Sequence, residues 1–164
     1  APKGNFPQLQ TSEHRYAGPA GELTLRLYRP ETAAATAPGL IYIHGGGMIM
    51  GDLESQDENL REAATELNIP IASIDYRKAP ECPYPAAPED CYAGVTWIFA
   101  NAEALGMDPT NIGLMGASAG GGLAQPPRSL RCTQPHWSPS HEALRDGLKS
   151  SNQLHFHGEV VASF

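Results

Sequence analysis

The pentapeptide Gly116-Ala117-Ser118-Ala119-Gly120 decides how this sequence is interpreted. It fits the G-x-S-x-G pattern, in which a serine sits on a sharp turn between a strand and a helix. A short apolar run precedes it, and a glycine-rich segment that can open a helix follows it. The small residues beside Ser118 leave room for the strained backbone that such a turn requires. Ser118 is therefore the candidate nucleophile; the alternative is a turn that only lets backbone segments pack closely.

The chain before this pentapeptide alternates between strand and helix patterns. Strands are predicted at residues 23–28, 39–43, 69–75 and 111–115. Apolar side chains at helical spacing predict helices over residues 56–67 and about 89–105, the second preceded by a proline-rich extended loop. This order predicts an α/β fold with a mostly parallel sheet, helices on both faces and a site at the carboxyl ends of the strands.

A second motif, His44-Gly45-Gly46-Gly47, directly follows one of the predicted strands. Acyl transfer needs backbone N–H donors about 3 Å from the developing oxyanion, and glycines let the main chain approach without side-chain collision. Donors at Gly46 and Gly47 would act together with Ala119. Glycine runs also occur in linkers, but a buried strand leading straight into the run favours the oxyanion-hole interpretation.

Three motifs in register resemble the hormone-sensitive-lipase-like family of α/β-hydrolase esterases. They are His44-Gly-Gly-Gly, the sequence Asp-Tyr-Arg-Lys-Ala-Pro-Glu at residues 75–81, and Gly-Ala-Ser118-Ala-Gly-Gly. The likeness covers about residues 20–124. It implies a serine carboxylesterase that hydrolyses esters with short to medium acyl chains, needs no cofactor and carries a helical cap over the site.

The resemblance also implies roles for individual residues. Gly46, Gly47 and Ala119 would be the oxyanion donors, and His44 and Glu81 would support the site structurally. Cys82 stands where the family usually has a histidine, and only 43 residues precede the first motif, so part of an N-terminal cap is expected to be missing.

The composition changes at Gln125. Residues 1–124 hold seven Lys/Arg and fifteen Asp/Glu, whereas residues 125–164 hold four and three, together with four of the six histidines. We therefore predict a nucleophile-bearing part over residues 1–124 and an atypical tail over residues 125–164, with the α/β-hydrolase fold incomplete on its C-terminal side. The apolar pattern of residues 160–164 is compatible with a strand at the end of the tail.

The base and acid that a serine nucleophile needs have candidates only in this tail. His157 and Glu142 stand in the family order of serine, acid and histidine. Only 24 residues separate Ser118 from Glu142 and 15 separate Glu142 from His157, too few for the strands that the fold normally inserts. This spacing favours coincidence over a shortened triad. The tail histidines follow no usual metal-ligand spacing either, so no metal site is predicted.

Charge and composition narrow the partners and the location. A formal net charge of -7 argues against nucleic acid as a partner. The family resemblance implies a small-molecule ester as the ligand. No apolar run approaches the length of a transmembrane segment. Three cysteines form neither a disulfide framework nor a metal pattern, which favours a reducing, cytoplasmic location and cysteines buried as small hydrophobic residues.

The alternative hypothesis is a catalytically impaired product, truncated or frame-altered, that retains the motifs and at most binds ligands or partners. A sheet that ended at the nucleophile strand would leave an unpaired edge and an uncovered apolar face. This version of the protein should therefore self-associate.

Overall fold

Six strands and three helices form the part of the chain that the structure, a computed structural model, describes: residue 4, residues 6–124 and residues 159–163. In chain order these elements are β1 (Leu9–Gly18), β2 (Gly21–Pro30), β3 (Ala37–Ile43), α1 (Asp57–Leu67), β4 (Ile71–Asp75), α2 (Ala86–Ala100), β5 (Met107–Ala117), α3 (Ala119–Leu123) and β6 (Glu159–Ser163). The predicted strand, helix, strand order is confirmed from β3 to α3. No helix in these described ranges is long and apolar enough to cross a membrane.

The six strands form one sheet in the order β1-β2-β4-β3-β5-β6. The predicted parallel arrangement holds for the central strands β4, β3 and β5, which helical crossovers connect. The sheet as a whole is mixed, because β1 and β2 form an antiparallel hairpin, and β2 and β6 run antiparallel to β4 and β5. A two-residue turn joins the hairpin strands, and such a turn allows only antiparallel pairing. At the other side of the sheet, β6 pairs with the outer edge of β5.

Strand β1 was not predicted from the sequence. Only Tyr16 is buried along its ten residues, so it shows too few apolar side chains for a period-two pattern to appear. A strand this exposed is typical of the edge of a sheet, where polar side chains discourage pairing with other chains.

Helices cover both faces of the sheet, as predicted. Alternate residues of β3 point to opposite faces: Leu40 and Tyr42 pack in a cluster with α1, whereas Ile41 and Ile43 pack in a cluster with α2. The first crossover, from β3 to β4, carries α1, and the second, from β4 to β5, carries α2. The strand that follows β3 in the chain, β4, therefore lies on one side of β3, and β5 lies on the other side. The crevice between the carboxyl ends of strands arranged in this way is the usual ligand site of α/β sheets.

Helix α1 matches its prediction to within one residue, but α2 begins and ends earlier than predicted. Its start at Ala86 places Pro88 inside the first turn, where a missing N–H costs nothing. The helix ends at Ala100, and the side chain of the following Asn101 donates a hydrogen bond to the Trp97 carbonyl at 2.8 Å. Buried Cys91 on this helix fits the predicted behaviour of the cysteines, Cys82 is half-buried, and Cys132 lies outside the described residues.

Candidate active site

Ser118 stands at the turn between β5 and α3 in a strained backbone conformation. Its φ is 50° and its ψ is -115°, in the positive-φ range that residues other than glycine rarely adopt. Ser118 is exposed to solvent, so a small molecule can reach its hydroxyl group. Strain of this kind persists only where surrounding packing imposes it, and it is frequent at functional sites.

Two glycines create the packing that imposes this turn. A side chain on Gly116 would collide with the Gly120 carbonyl, and a side chain on Gly120 would collide with the Ile43 carbonyl oxygen and approach that of His44 to 2.6 Å. The first turn of α3 therefore lies directly on the end of β3, backbone against backbone. Because Ile43 is also paired with Gly116 in the sheet, β3 and β5 end at the same level.

The glycine loop, residues 45–51, follows β3 and lies against the serine. A Cβ atom added to Gly45 would stand 2.8 Å from the Ala117 carbonyl oxygen and 3.4 Å from the Ser118 Cβ. Gly46 and Gly47 have φ values of 113° and 64°, which explains why glycines occupy these positions. The structure thus brings the glycine loop and the serine turn together at the ends of β3 and β5.

His44 is buried beneath this loop and orients its first peptide. Nδ1 lies 2.7 Å from the Gly45 carbonyl oxygen; a carbonyl only accepts, so Nδ1 carries the proton. In a planar trans peptide the N–H points opposite to the C=O. The Gly46 N–H is therefore directed away from the His44 ring.

The His44 ring is almost completely shielded from solvent. It stacks on the Tyr76 ring with centroids 4.2 Å apart, and Nε2 has no hydrogen-bond partner among the described residues. The carboxylate of Asp75 is 3.9 Å from that nitrogen. Burial lowers the pKa of His44, and the Lys78 ammonium lowers it further against the opposing effect of the Gly45 hydrogen bond.

The loop between β4 and α2, residues 76–85, is held by a buried carboxylate that the sequence analysis did not single out. Asp90 on α2 is fully buried and accepts two hydrogen bonds from the Arg77 guanidinium at 2.7 Å each and one from the Arg77 backbone N–H at 2.9 Å. The Ala79 N–H donates to the Met48 carbonyl at 2.9 Å, which joins this loop to the glycine loop. The sequence did contain a signal for this pair: Asp90 stands next to Cys91, which the apolar pattern places on the buried side of the helix. A carboxylate buried there needs a partner of opposite charge.

The remaining predicted site residues are placed as follows. Ala119 is the first residue of α3, and the first N–H groups of a helix have no partner within it. Glu81 is exposed and makes no hydrogen bond with any described residue, so its supporting role stays a prediction. Glu142 and His157 lie outside the described residues. In the described part of the chain, no three His, Cys, Asp or Glu residues are close enough together to hold a metal ion.

Comparison with known proteins identifies relatives whose names refer to ester hydrolysis. The family profile for the alpha/beta hydrolase fold matches residues 40–143. Esterase LipI of Mycobacterium tuberculosis is 42% identical over 120 residues, which cover 72% of this chain and 38% of that protein. Hormone-sensitive lipase of Bos taurus is 41% identical over 109 residues, which cover 66% of this chain and 14% of the lipase.

Solved structures agree with these matches. An ester-hydrolase from the metagenome of Lake Arreo, complexed with a derivative of bipyridine phosphonate, superposes with a TM-score of 0.70 at 40% sequence identity, covering 76% of this chain and 39% of that chain. The fold class predicted from the motifs is confirmed. The chain spans less than two fifths of the length of each of these relatives.

The contact at Gly120 can be tested against a second glycine of the same helix. We expect Gly120→Ala to lower the free energy of unfolding by about 2 kcal/mol, because the methyl group must displace α3 from β3. Gly122→Ala is the matched control: a Cβ there meets nothing within 4 Å, so it should be neutral or stabilise by roughly 0.5 kcal/mol through helix propensity. Urea unfolding of both variants measures the difference, and equal stabilities would contradict the contact.

The buried neutral ring of His44 predicts a pH dependence of stability. Its folded-state pKa is lowered from the ordinary 6.5, so below about pH 6.5 the unfolded chain binds a proton that the folded chain excludes, and stability falls as the pH drops toward the folded-state pKa. Unfolding from about pH 7.5 to about pH 5.5 should show a steeper loss for the native protein than for His44→Asn, whose amide can still donate to Gly45. His14→Asn, on β1, is the control and should retain the native loss. Identical pH profiles for the native protein and His44→Asn would refute this interpretation.

Proposed function

Because the chain belongs to the hormone-sensitive-lipase-like group of the α/β-hydrolase fold family, we propose that it hydrolyses carboxylic esters with Ser118 as the nucleophile. One observation carries the proposal above all: the strained, exposed serine lies against Gly45, at the start of the glycine loop. A turn that served packing alone would need no exposed hydroxyl at its tip. The names of the relatives point to the same reaction.

In the proposed reaction, the Ser118 oxygen attacks the ester carbonyl carbon and its proton passes to a base. The carbonyl oxygen becomes an oxyanion, which the N–H groups of Gly46, Gly47 and Ala119 would stabilise. Collapse of this intermediate breaks the bond to the alcohol, which leaves with the proton from the base. Water then attacks the acyl-serine in the same way and releases the carboxylic acid. No step requires a metal or a cofactor.

The base and the acid of this mechanism would come from residues 125–164. The candidates that stand in the family order are His157 as the base and Glu142 as the acid that would orient it. His44 is unsuited to the role, because it is buried and its Nδ1 proton is committed to the Gly45 carbonyl. The second candidate function is the catalytically impaired chain, and the change of composition at Gln125 favours it.

Substrate and location follow as proposals from the same resemblance and composition. We propose esters with short to medium acyl chains as substrates, a cytoplasmic location and no nucleic-acid partner. Self-association stays a prediction of the impaired version alone. Its argument from an unpaired edge does not hold in the structure, because β6 pairs with β5.

A fluorophosphonate probe tests the nucleophile directly. The native protein should be labelled and Ser118→Ala should not, because only an activated serine in an oxyanion hole reacts rapidly with such a probe. Ser12→Ala, which removes an exposed hydroxyl on β1, should be labelled like the native protein. Hydrolysis of p-nitrophenyl butyrate should be lost in both Ser118→Ala and His157→Ala.

The outcomes separate the two functions. Absence of label and of turnover in the native protein would establish the impaired chain. Equal labelling of the native protein and Ser118→Ala would place the nucleophile elsewhere and overturn the proposal.

A further inference from the structure

Three large hydrophobic side chains are exposed in the described part of the chain, and two of them belong to the glycine loop beside the serine. Ile49 and Met50 belong to the glycine loop and are 59% and 63% exposed; Tyr84 belongs to the loop before α2 and is 85% exposed. Single exposed hydrophobic residues need no explanation, but a group of them at a candidate site is a feature of ligand-binding surfaces.

Ile49 and Met50 stand next to the two proposed oxyanion donors. A Cβ atom on Gly47 would be 3.7 Å from Ile49 Cγ1, and one on Gly46 would be 3.0 Å from Met50 Cγ. Each apolar side chain therefore adjoins a glycine whose N–H would hold the carbonyl oxygen of the substrate. The acyl and alcohol chains of an ester bound there would start close to these side chains, because both begin at the carbonyl carbon.

Backbone hydrogen bonds fix where these side chains emerge. The N–H groups of Ile49 and Met50 both donate to the Gly46 carbonyl at 3.1 Å, and Met48 accepts from Ala79 on the neighbouring loop at 2.9 Å. The loop is thus a closed turn held at two points. Side chains on such a turn present a preformed surface, which selects between ligands better than a surface that must first become ordered.

The glycine loop itself carries no charge. Residues 45–51 contain no ionisable side chain, and burial favours the neutral form of His44 beneath them. A chain of methylene groups gains free energy against such a surface, whereas a charged substituent would lose hydration without gaining a partner.

We propose that Ile49 and Met50 are specificity-determining residues that bind the apolar chain of the ester beside the oxyanion hole. This inference rests on the proposed function and deepens it. Under this proposal, Ile49 and Met50, rather than the catalytic residues, cause a preference for esters with longer chains over acetate and methyl esters.

The test compares chain-length preference in single variants. In one series the acyl chain varies, from p-nitrophenyl acetate to p-nitrophenyl hexanoate; in the other the alcohol varies, from methyl to hexyl acetate. Ile49→Ser and Met50→Ser should each reduce the long-to-short ratio of kcat/KM by about fivefold in one series, because each removes apolar contact with several methylene groups. The series that responds identifies which part of the ester occupies the surface.

Two controls keep the result interpretable. Tyr84→Ser removes an equally exposed hydrophobic group from the other loop and should leave both ratios unchanged. Thermal unfolding of Ile49→Ser and Met50→Ser should match the native protein, since exposed side chains contribute little to stability.

Failure of the inference and failure of the function give different results. Turnover that depends on Ser118, with both ratios unchanged in Ile49→Ser and Met50→Ser, would overturn the inference and leave the esterase proposal intact. Absence of any turnover that depends on Ser118 would overturn both.

Discussion

The site depends on one close contact between backbone segments. Gly120, in the first turn of α3, lies on the carbonyl groups of Ile43 and His44, where no side chain fits. This contact sets the distance between the end of β3 and the turn after β5, and so brings the glycine loop against Ser118. Because this contact fixes the position of α3, the chain must turn sharply between β5 and α3. The positive φ of Ser118 is the result of that turn.

Buried polar groups then hold the two loops around the serine. His44 fixes the Gly45 carbonyl from below, Tyr76 covers its ring and donates a hydrogen bond to the His44 carbonyl at 3.0 Å, and Asp90 holds Arg77. Buried polar atoms are costly when unpaired, so each of these pairs disfavours other positions of the loops. Such second-layer contacts are how a scaffold keeps reacting groups in place.

Much of this arrangement could be predicted from the sequence, for identifiable reasons. The central strands and α1 carry strong apolar patterns, and the glycine motifs have few other uses at the end of a buried strand. The polar edge strand β1 carried no such pattern and was missed. Asp90 and Tyr76 were missed as well, since their importance lies in partners that are distant in the sequence. The roles of His157 and Glu142 depend on tertiary contacts that spacing alone does not determine.

The most direct test of Ser118 as a nucleophile facing the N–H groups of Gly46 and Gly47 is a crystal structure of the protein after reaction with a fluorophosphonate. We expect a phosphorus atom bonded to the Ser118 oxygen, with its phosphoryl oxygen about 3 Å from the backbone nitrogens of Gly46 and Gly47. An adduct on Ser118 whose phosphoryl oxygen points to solvent, far from both nitrogens, would contradict it.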